Sequence, residues 1–368
     1  DSTIAATIEG NRFELIESGA GRLRRILDMI ERAEESLKLI FYIFDSDDSG
    51  RVVRDALVEA AQRGVKVRIL VDGFGCKTAE PDFFKPIKDA GGDFCVFNPR
   101  YGARYLVRNH QKLVVVDGRA GLIGGANIEH DYLQDSGPDH WRDLWLSFDG
   151  PIAAHAGKYF DSVYRWTKRP DGKLRELRRI VRRHSQTEGV LQWKFSGPLS
   201  RKHSWQAAVA RELTGCCKVD IIAAYFSPPS ALIRRFNRVE RRGGDVRIIT
   251  AAKSDNNATI GAARHTYARL LRRGVEMFEY RPAKLHTKLA VVDDVVHVGS
   301  SNLDFRSIYI NMEVMLRIDH AGFAAQVRRY FEGEMADSEK ITIALHRKRA
   351  NLWRRIKWTI SYWLVTAL

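Results

Sequence analysis

The hydrophobic positions of the first half of the chain follow two alternating periods. Apolar residues recur at helical spacing over 21–37 and 50–64, and short runs rich in Ile, Leu and Val occupy 39–44 and 65–72. A period near 3.6 predicts amphipathic helices, whereas short apolar runs between polar residues predict buried strands. Because the strands alternate with helices, the pattern indicates an α/β layer structure.

The second half repeats this order of elements. Helical spacing returns over 204–213 and 230–243, and strands are predicted over 219–225 and 246–250. The segment RGVKVRILVD of the first half also has an echo in GGDVRIITA of the second. We therefore predict an internal duplication that covers most of the chain.

One polar motif follows the predicted strands of each half, as NHQKLVVVDGRAGLIGGAN and as LHTKLAVVDDVVHVGSSN. Both copies read H-x-K-x4-D, followed by a small turn and an Asn. Residues two apart on a strand point the same way, so His and Lys of each copy project from one face. A single His beside a strand is more often structural, but two matching copies favour a functional site. The motif residues are His110, Lys112, Asp117 and Asn127 in the first copy and His286, Lys288, Asp293 and Asn302 in the second.

Two His, two Lys and two Asn without a cluster of carboxylates predict chemistry at an anionic tetrahedral centre. Lys112 and Lys288 would hold the non-bridging oxygens of a phosphodiester. Asn127 and Asn302 would donate hydrogen bonds to the same oxygens, whose charge must be stabilised in the transition state. One neutral imidazole would attack phosphorus, and the other, protonated, would give its proton to the leaving alkoxide.

Each imidazole also needs an acceptor that orients its second nitrogen. Asp143 and Glu313 are the candidates, because they follow the two motifs at similar distances. Asp117 and Asp293 are counted with the catalytic motifs, but they end their strands and are expected mainly to support local geometry. We expect no cofactor and no metal, because the lysines supply the positive charge and no metal-binding motif is present.

Composition adds a partner class to this picture. The 368 residues suffice for two fused halves, and the net charge of +15 implies an anionic partner: nucleic acid, an acidic membrane surface or a phosphorylated substrate. The four cysteines form no C-x-x-C pair, which favours a reduced compartment and argues against a zinc site. No apolar run of eighteen residues occurs, so no spanning helix is predicted. Since the chain begins at Asp1, a preceding anchor stays open.

The pattern divides the chain into a first half at 1–164, a basic linker at 165–190, a second half at 191–344 and a C-terminal helix at 345–368. The linker is either a solvated helix or a surface that binds phosphates. In the last segment, tryptophans and basic residues border a short apolar face, which is typical of a helix lying among lipid headgroups; packing on the protein's own core is the alternative. The residues assigned to membrane contact are Trp353, Trp358, Trp363, Arg354, Arg355 and Lys357.

The twin motif resembles the signature of the phospholipase D superfamily. The segments GGANIEHDYL, WRDLWLSFDGP and GSSNLDFRSIYINMEV are similar to sequences of its bacterial cardiolipin synthase branch. The chain resembles a short form of that branch without N-terminal transmembrane helices. The resemblance implies an α/β fold of two similar halves, each a mixed sheet flanked by helices, with pseudo-two-fold symmetry and one active site between them. It also implies transfer of a phosphatidyl group from one phosphatidylglycerol to another, through a phosphatidyl-histidine intermediate. His110 would be the nucleophile and His286 the acid and base.

Three alternatives stay open at this point. Phosphatidylethanolamine could be one of the two lipids, and water could replace the lipid acceptor, which would make the enzyme a hydrolytic phospholipase D. A nucleic-acid phosphodiesterase suits the basic charge, but no nucleic-acid module is recognisable. We expect anionic phospholipids and the surface of a bacterial cell membrane, on its cytoplasmic face, as partners. No nucleic-acid partner is expected, and the oligomeric state is left open.

Overall fold

The fold was analysed in a computed structural model, which describes residues 4–76, 82–97, 106–137, 139–198 and 205–367. Residue 204, where one helix is predicted to begin, and residue 368, the end of the predicted C-terminal helix, lie outside the described residues.

Strands form two large sheets and one small one. The strands of the first half are β1 (Ala5–Ile8), β2 (Asn11–Ile16), β3 (Ser36–Phe41), β4 (Lys66–Asp72), β5 (Asp93–Phe97), β6 (Leu113–Val116), β7 (Ala120–Gly124), β8 (Trp141–Arg142) and β9 (Trp145–Asp149). Those of the second half are β10 (Leu191–Ser196), β11 (Lys218–Ala223), β12 (Asp245–Ala251), β13 (Glu276–Tyr280), β14 (Lys284–Leu285), β15 (Lys288–Val292), β16 (Val295–Gly299), β17 (Glu313–Asp319) and β18 (Ser338–Ile341).

The helices alternate with these strands, as the hydrophobic pattern predicts. They are α1 (Gly19–Glu31), α2 (Asp48–Gln62), α3 (Lys85–Asp89), α4 (Ile152–Lys168), α5 (Leu174–His184), α6 (Trp205–Glu212), α7 (Ser230–Arg241), α8 (Asn257–Leu271), α9 (Phe305–Tyr309), α10 (Ala321–Ala336), α11 (Ile343–Arg349) and α12 (Leu352–Ala367).

The two large sheets share one strand order. The first runs β2-β9-β7-β6-β3-β4-β5, with β1 added beside β2, and the second runs β10-β17-β16-β15-β11-β12-β13, with β18 added beside β13. In both sheets the three strands joined by helices are parallel, namely β3-β4-β5 and β11-β12-β13. Seven strands therefore match in order and direction, and the predicted fold of two similar mixed sheets flanked by helices is confirmed.

One apolar core joins the two halves. The inner faces of both sheets meet there with buried side chains of α4, α5 and α10. The ring of Phe148 lies 5.4 Å from that of Trp193, and Phe13 lies 6.3 Å from Phe323. The outer faces pack separately, on α1 to α3 in the first half and on α6 to α8 in the second. Since the joint is a continuous core, the position of each half relative to the other is fixed by packing.

The first predicted helix is too long at its C-terminal end. It ends at Glu31, and Leu37 lies on β3 instead. The carboxylate of Asp117 accepts the three backbone amides of residues 34–36, at 3.0, 2.8 and 2.6 Å. These hydrogen bonds turn the chain out of the helix and start the strand.

The predicted linker belongs to the packed structure. The boundary at 164/165 falls inside α4, and α5 buries Leu177 and Val181 in the central core. The arginines of α5 lie on its outer face, which gives this segment its basic surface. The stretch 165–190 is thus not a solvated linker.

The C-terminal segment forms two helices where one is predicted. A break after α11 ends at Asn351, whose side-chain oxygen accepts the amide of Arg354 at 2.9 Å and so caps α12. Trp353 and Trp363 are 79% and 64% exposed, but Trp358 is only 7% exposed because it packs against α8. The assignment of Trp358 to membrane contact is therefore wrong.

The rest of α12 leaves its predicted contact residues at the surface: Arg354, Arg355 and Lys357 are exposed. Among the residues that the structure describes, no helix is both long and apolar enough to cross a bilayer.

Candidate active site

Each motif enters a buried strand directly after its histidine. Lys112 immediately precedes β6, and Lys288 is the first residue of β15. The two lysines are 1% and 2% exposed. Each histidine is also held by backbone from the opposite half, because the amide of His110 donates to Met312 O at 2.9 Å and that of His286 to Arg142 O at 2.8 Å. The joint between the halves therefore fixes both motifs.

The two imidazoles lie side by side at this joint. Their ring centroids are 6.4 Å apart, and their planes make an angle of 69°. The structure thus brings together the two histidines that the sequence pairs. They come from equivalent positions of the two sheets, so they face one shared space.

A carboxylate orients each histidine, and each comes from the opposite half. Nδ1 of His110 lies 3.1 Å from both carboxylate oxygens of Glu313. Nδ1 of His286 lies 2.7 Å from one oxygen of Asp143. Both carboxylates are fully buried. The sequence identifies Asp143 and Glu313 as the orienting residues, and the structure adds that the pairs cross between the halves.

The surroundings of the two carboxylates differ at one position of the repeated motif. In the second copy, the hydroxyl of Ser300 donates to Glu313 at 2.5 Å and accepts the amide of Val314 at 3.0 Å. The first copy has Gly125 there, and a Cβ atom on Gly125 would lie 2.5 Å from the carboxylate of Asp143. The glycine therefore leaves room for the aspartate, while the serine holds the glutamate.

Burial weakens the positive charge of the lysines. Desolvation lowers the pKa of Lys112 to about 7 and that of Lys288 to about 8. Nζ of Lys112 donates to the carbonyl of His110 at 2.9 Å, and Lys288 makes the equivalent bond to the carbonyl of His286. Each of these hydrogen bonds uses one N–H group of the lysine, so the others remain for a ligand. Because burial destabilises the ammonium form, an anion in the shared space would stabilise it.

The histidines and their carboxylates respond to the same low-polarity environment. Desolvation, aided by the two lysines, lowers the pKa of both His110 and His286 well below the usual value. Burial raises the pKa of Asp143 to about 6 and that of Glu313 to about 8. Perturbation of this kind, in groups that converge on one space, is typical of catalytic sites.

The two asparagines are buried, at 2% and 3% exposure. The side-chain oxygen of Asn127 accepts the amide of Ile43 at 3.2 Å, which fixes the orientation of its carboxamide. Within the described residues, the side-chain oxygen of Asn302 has no hydrogen-bond partner. Their contact with a phosphate stays a prediction.

Asp117 and Asp293 do not join the histidines. They stand at the opposite ends of β6 and β15, where both have positive φ angles, of 51° and 46°. Asp117 caps the start of β3, and Asp293 accepts the amides of Cys217 and Lys218 before β11, at 3.0 and 2.8 Å. Both act on the backbone of a neighbouring strand, as the sequence led us to expect, and any part in catalysis stays a prediction.

Several residues near the site carry no signal in the motif itself. The ring of Tyr42 lies 5.1 Å from His110, and the rings of Tyr132, Trp141 and Tyr225 lie 5.1, 5.3 and 6.1 Å from His286. These aromatic rings wall the histidines and limit access of water. Trp141 and Tyr132 belong to segments that the sequence singles out, W-R-D and GGANIEHDYL. Tyr42 and Tyr225 fall in the stretches 39–44 and 219–225, which the sequence predicts as strands without any sign of a site.

Comparison with known proteins agrees with this geometry. Residues 26–164 and 214–335 match the family described as "Cardiolipin synthase, PLD-like domain". The chain is 30% identical to the major cardiolipin synthase ClsA of Bacillus subtilis (strain 168) over 369 residues, covering 97% of this chain and 75% of the relative. It is likewise 30% identical to cardiolipin synthase B of Escherichia coli (strain K12), covering 96% of this chain and 87% of the relative.

Solved structures support the fold. Phosphatidylserine synthase of Haemophilus influenzae Rd KW20 superposes with a TM-score of 0.78 at 15% identity, over 97% of this chain and 95% of that one. A polyphosphate kinase of Porphyromonas gingivalis gives a TM-score of 0.62 at 12% identity, over 90% of this chain and 49% of that one. With the twin motifs intact and the family match extending over both halves, the chain belongs to the cardiolipin synthase family of phospholipase D-like enzymes.

Proposed function

We propose that the enzyme transfers a phosphatidyl group from one phosphatidylglycerol to another and releases glycerol, which makes it a cardiolipin synthase. The observation that carries the proposal is the pair of imidazoles, 6.4 Å apart, each with a buried carboxylate on Nδ1. A nucleophile and an acid on opposite sides of one phosphorus atom are what a two-step displacement at a phosphodiester needs. The comparisons suggest the lipid class, because the relatives from Bacillus subtilis and Escherichia coli are cardiolipin synthases.

In the first step, Nε2 of His110 attacks the phosphorus of one phosphatidylglycerol. The bond between phosphorus and the headgroup glycerol oxygen breaks as the N–P bond forms. His286, protonated, gives its proton to the departing oxygen, so that free glycerol leaves and a phosphatidyl-histidine remains. Asp143, at 2.7 Å, stabilises the charged form of His286 before this transfer.

In the second step, a headgroup hydroxyl of another phosphatidylglycerol attacks the same phosphorus. His286, now neutral, takes the proton of that hydroxyl while the N–P bond to His110 breaks. Cardiolipin leaves, and both histidines return to their starting states. The aromatic rings around His286 favour this outcome over hydrolysis, because they reduce the access of water to the intermediate.

The lysines stabilise charge in both steps. Burial alone lowers the pKa of Lys112 and of Lys288. A bound phosphodiester reverses this effect, since an anion a few ångströms away favours the ammonium form. The positive charge is therefore strongest when the substrate is present, and it acts on the non-bridging oxygens, where charge develops in the transition state.

The assignment of His110 as the nucleophile is supported by access. Its side chain is 12% exposed, whereas that of His286 is 4% exposed and surrounded by three aromatic rings. Covalent attachment of a bulky lipid phosphate is sterically easier at the more open ring.

The reaction also requires contact with a membrane, because both substrates reside in a bilayer. The exposed tryptophans and basic residues of α12 support contact with the cytoplasmic face of a bacterial cell membrane. The proposed partners are anionic phospholipids, with phosphatidylglycerol as donor and acceptor.

Incubation of the purified protein with phosphatidylglycerol vesicles tests the reaction. Mass spectrometry should detect cardiolipin and an equal amount of glycerol. Phosphatidic acid without cardiolipin would instead identify a hydrolase. Vesicles that also contain labelled phosphatidylethanolamine identify the donor, because release of ethanolamine would assign the donor role to that lipid.

A second experiment tests the two roles. Phosphatidylglycerol labelled in its phosphatidyl group should leave label on the protein, in a bond that acid cleaves and alkali spares. His110→Ala should abolish this adduct, whereas His286→Ala should let it form slowly and persist. Label found on His286 in the wild-type protein would reverse the assignment.

A further inference from the structure

The last helix has two faces with different surroundings. Trp358 and Ser361 face α8 and are 7% and 6% exposed. Gly261 of α8 permits this close approach, because a Cβ atom there would lie 2.7 Å from the hydroxyl oxygen of Ser361. The ring of Tyr362 also stacks on His265 at 4.7 Å. These contacts anchor α12 to the protein.

The opposite face of α12 is apolar and open. Its large side chains are between 43% and 79% exposed, and their spacing puts them along one side of the helix. We call this set the apolar stripe: Leu352, Trp353, Ile356, Ile360, Trp363 and Leu364. A contiguous exposed apolar surface often marks a site that binds a protein, a ligand or a membrane.

A basic cleft of about 480 Å³ runs along the flank of the same helix. This volume lies within the range of roughly 300–1,000 Å³ that is usual for ligand sites. We define the basic cleft by five cationic side chains that line it: Arg264, Arg281, Arg349, Arg354 and Lys357.

Two carboxylates neutralise part of this charge. Glu279 pairs with Arg264 at 2.8 Å, and Glu339 pairs with Arg281 and with Arg349, the latter at 2.7 Å. Five cations and two carboxylates leave a local charge of +3. The cleft is therefore suited to an anion.

Arg354 and Lys357 carry two of these three charges, and the third is left by Arg281 and Arg349, which share Glu339. Neither Arg354 nor Lys357 forms an ion pair with any of the residues described by the structure, and both are exposed. They are adjacent in sequence to Trp353 and Ile356 of the apolar stripe. A ligand with an anionic head and apolar tails would satisfy both features at once.

We propose that the basic cleft binds the headgroup phosphate of an anionic phospholipid within the bilayer, while the apolar stripe inserts beside the acyl chains. None of the cleft residues belongs to the histidine site, so this lipid is not the substrate in the act of transfer. The cleft sets how the protein docks: the lipid phosphate fixes the flank of α12 at headgroup depth, and the stripe lies below it. The inference concerns binding and does not depend on which products the histidines form.

Vesicle co-sedimentation tests the site with the 368-residue chain carrying His110→Ala, so that turnover does not alter the lipid. Phosphatidylcholine vesicles with and without phosphatidylglycerol are compared for wild-type cleft and for Arg354→Gln/Lys357→Gln. We expect the protein to bind the phosphatidylglycerol vesicles and the double variant to bind them more weakly, on the order of tenfold. Each basic residue near an acidic membrane surface adds about 1 kcal/mol to the binding free energy. Arg238→Gln/Arg241→Gln on α7 is the matched control, with the same loss of charge from exposed positions.

The two double variants separate a built site from diffuse attraction. Equal weakening in both would overturn the proposal, because only total charge would then matter. Unchanged binding in the cleft variant would overturn it as well. Inorganic phosphate, added at constant ionic strength, distinguishes the source of the ligand: tight binding of phosphate by the cleft without vesicles would assign it to a soluble anion instead of a lipid.

The stripe requires its own variant. Trp353→Ser/Trp363→Ser changes exposed residues and should keep the thermal midpoint while it reduces vesicle binding. Light scattering on the lipid-free protein covers the remaining occupant, a second copy of the chain. A dimer that this variant converts to a monomer, with vesicle binding unchanged, would refute the membrane role of α12.

Discussion

A methyl group at Gly125 is expected to disable the enzyme without unfolding it. In Gly125→Ala, the new Cβ would lie 2.5 and 2.6 Å from the two carboxylate oxygens of Asp143. Ordinary contact begins at 3.4 Å, so the carboxylate must move by about 3.4 − 2.5 = 0.9 Å. The backbone of Asp143 resists such a shift, because its carbonyl accepts a hydrogen bond of 2.5 Å from the buried Arg22. The side chain must therefore rotate and lose its 2.7 Å bond to His286.

The size of the effect follows from this displacement. A misplacement of about 1 Å in a catalytic group costs roughly 10²-fold in rate, whereas overpacking a core costs about 1–3 kcal/mol of stability. We therefore expect kcat for cardiolipin formation to fall about a hundredfold, with the protein still folded. Gly125→Ser should fail in the same way, although a serine stands at the equivalent position of the second copy, because its Cβ meets the same carboxylate.

The assay measures initial rates with phosphatidylglycerol vesicles together with the thermal midpoint. Gly333→Ala is the control, since Gly333 is exposed on α10 and a Cβ there would meet nothing within 4 Å. A double-mutant cycle with Asp143→Ala identifies the route of the effect: once the whole carboxylate group is gone, the added methyl meets nothing there and should cost little further rate. A folded Gly125→Ala protein with nearly normal kcat, or full additivity in the cycle, would refute the reasoning.

Three other predictions concern the remaining parts of the site. Ser300→Ala removes the hydroxyl that donates to Glu313 at 2.5 Å, so kcat should fall by about tenfold. The control Ser301→Ala should have a smaller effect. Equal losses in the two variants would show that Ser300 does not position Glu313. Because the pKa of Lys112 is lowered by burial to about 7, inhibition by tungstate, a dianion over this pH range, should weaken as the pH rises through 7. In Lys112→Arg the pH at which inhibition begins to weaken should rise to about 8, where Lys288 loses its proton. If that pH did not change, the assignment to Lys112 would be contradicted. Asp117→Ala should lower the free energy of unfolding in urea by about 1–3 kcal/mol, because it leaves three backbone amides without their acceptor. The kcat per folded molecule should stay near normal, and a large loss of kcat in the folded protein would show that Asp117 acts in catalysis.

The sequence predicts the fold and the reacting groups because both leave local patterns. Strand and helix periods repeat in the two halves, and His110 with Lys112 appears twice at the same spacing. The carboxylates could be named as well, since an imidazole needs an acceptor. Their crossing could not be predicted, because it depends on how the halves pack: Met312 and Arg142 receive the histidine amides across the joint. No local period reports contacts between residues that are 143 and 203 positions apart, as in the two pairs of histidine and carboxylate.

The C-terminal segment shows what the hydrophobic pattern could not predict. At 100° per residue Trp358 projects about 140° away from Trp353, but the projection does not tell which of the two sides packs. In the structure Trp358 packs on α8 whereas Trp353 stays open. The deciding features are the glycine at 261, which admits the helix, and Asn351, which starts a new one. Asn351 acts locally, on the amide of Arg354, but Gly261 acts on Ser361, a hundred positions away in the sequence. A hydrophobic stripe alone therefore could not show which face of the helix is packed.

A duplicated scaffold begins with two equivalent histidines, yet the proposed mechanism needs them to act differently. The structure contains a physical difference between them. Burial raises the pKa of Asp143 to about 6 but that of Glu313 to about 8, so Asp143 is the more readily ionised of the two. An ionised carboxylate favours the imidazolium form, which suits His286 as the acid, whereas the less readily ionised Glu313 leaves His110 closer to the neutral form that a nucleophile requires. The exchange of Asp for Glu accompanies this difference, and burial is the first cause of both shifts. The exchange of Gly125 for Ser300 does not produce it, because the hydrogen bond from Ser300 lowers the pKa of Glu313; the serine instead holds Glu313 beside Nδ1 of His110.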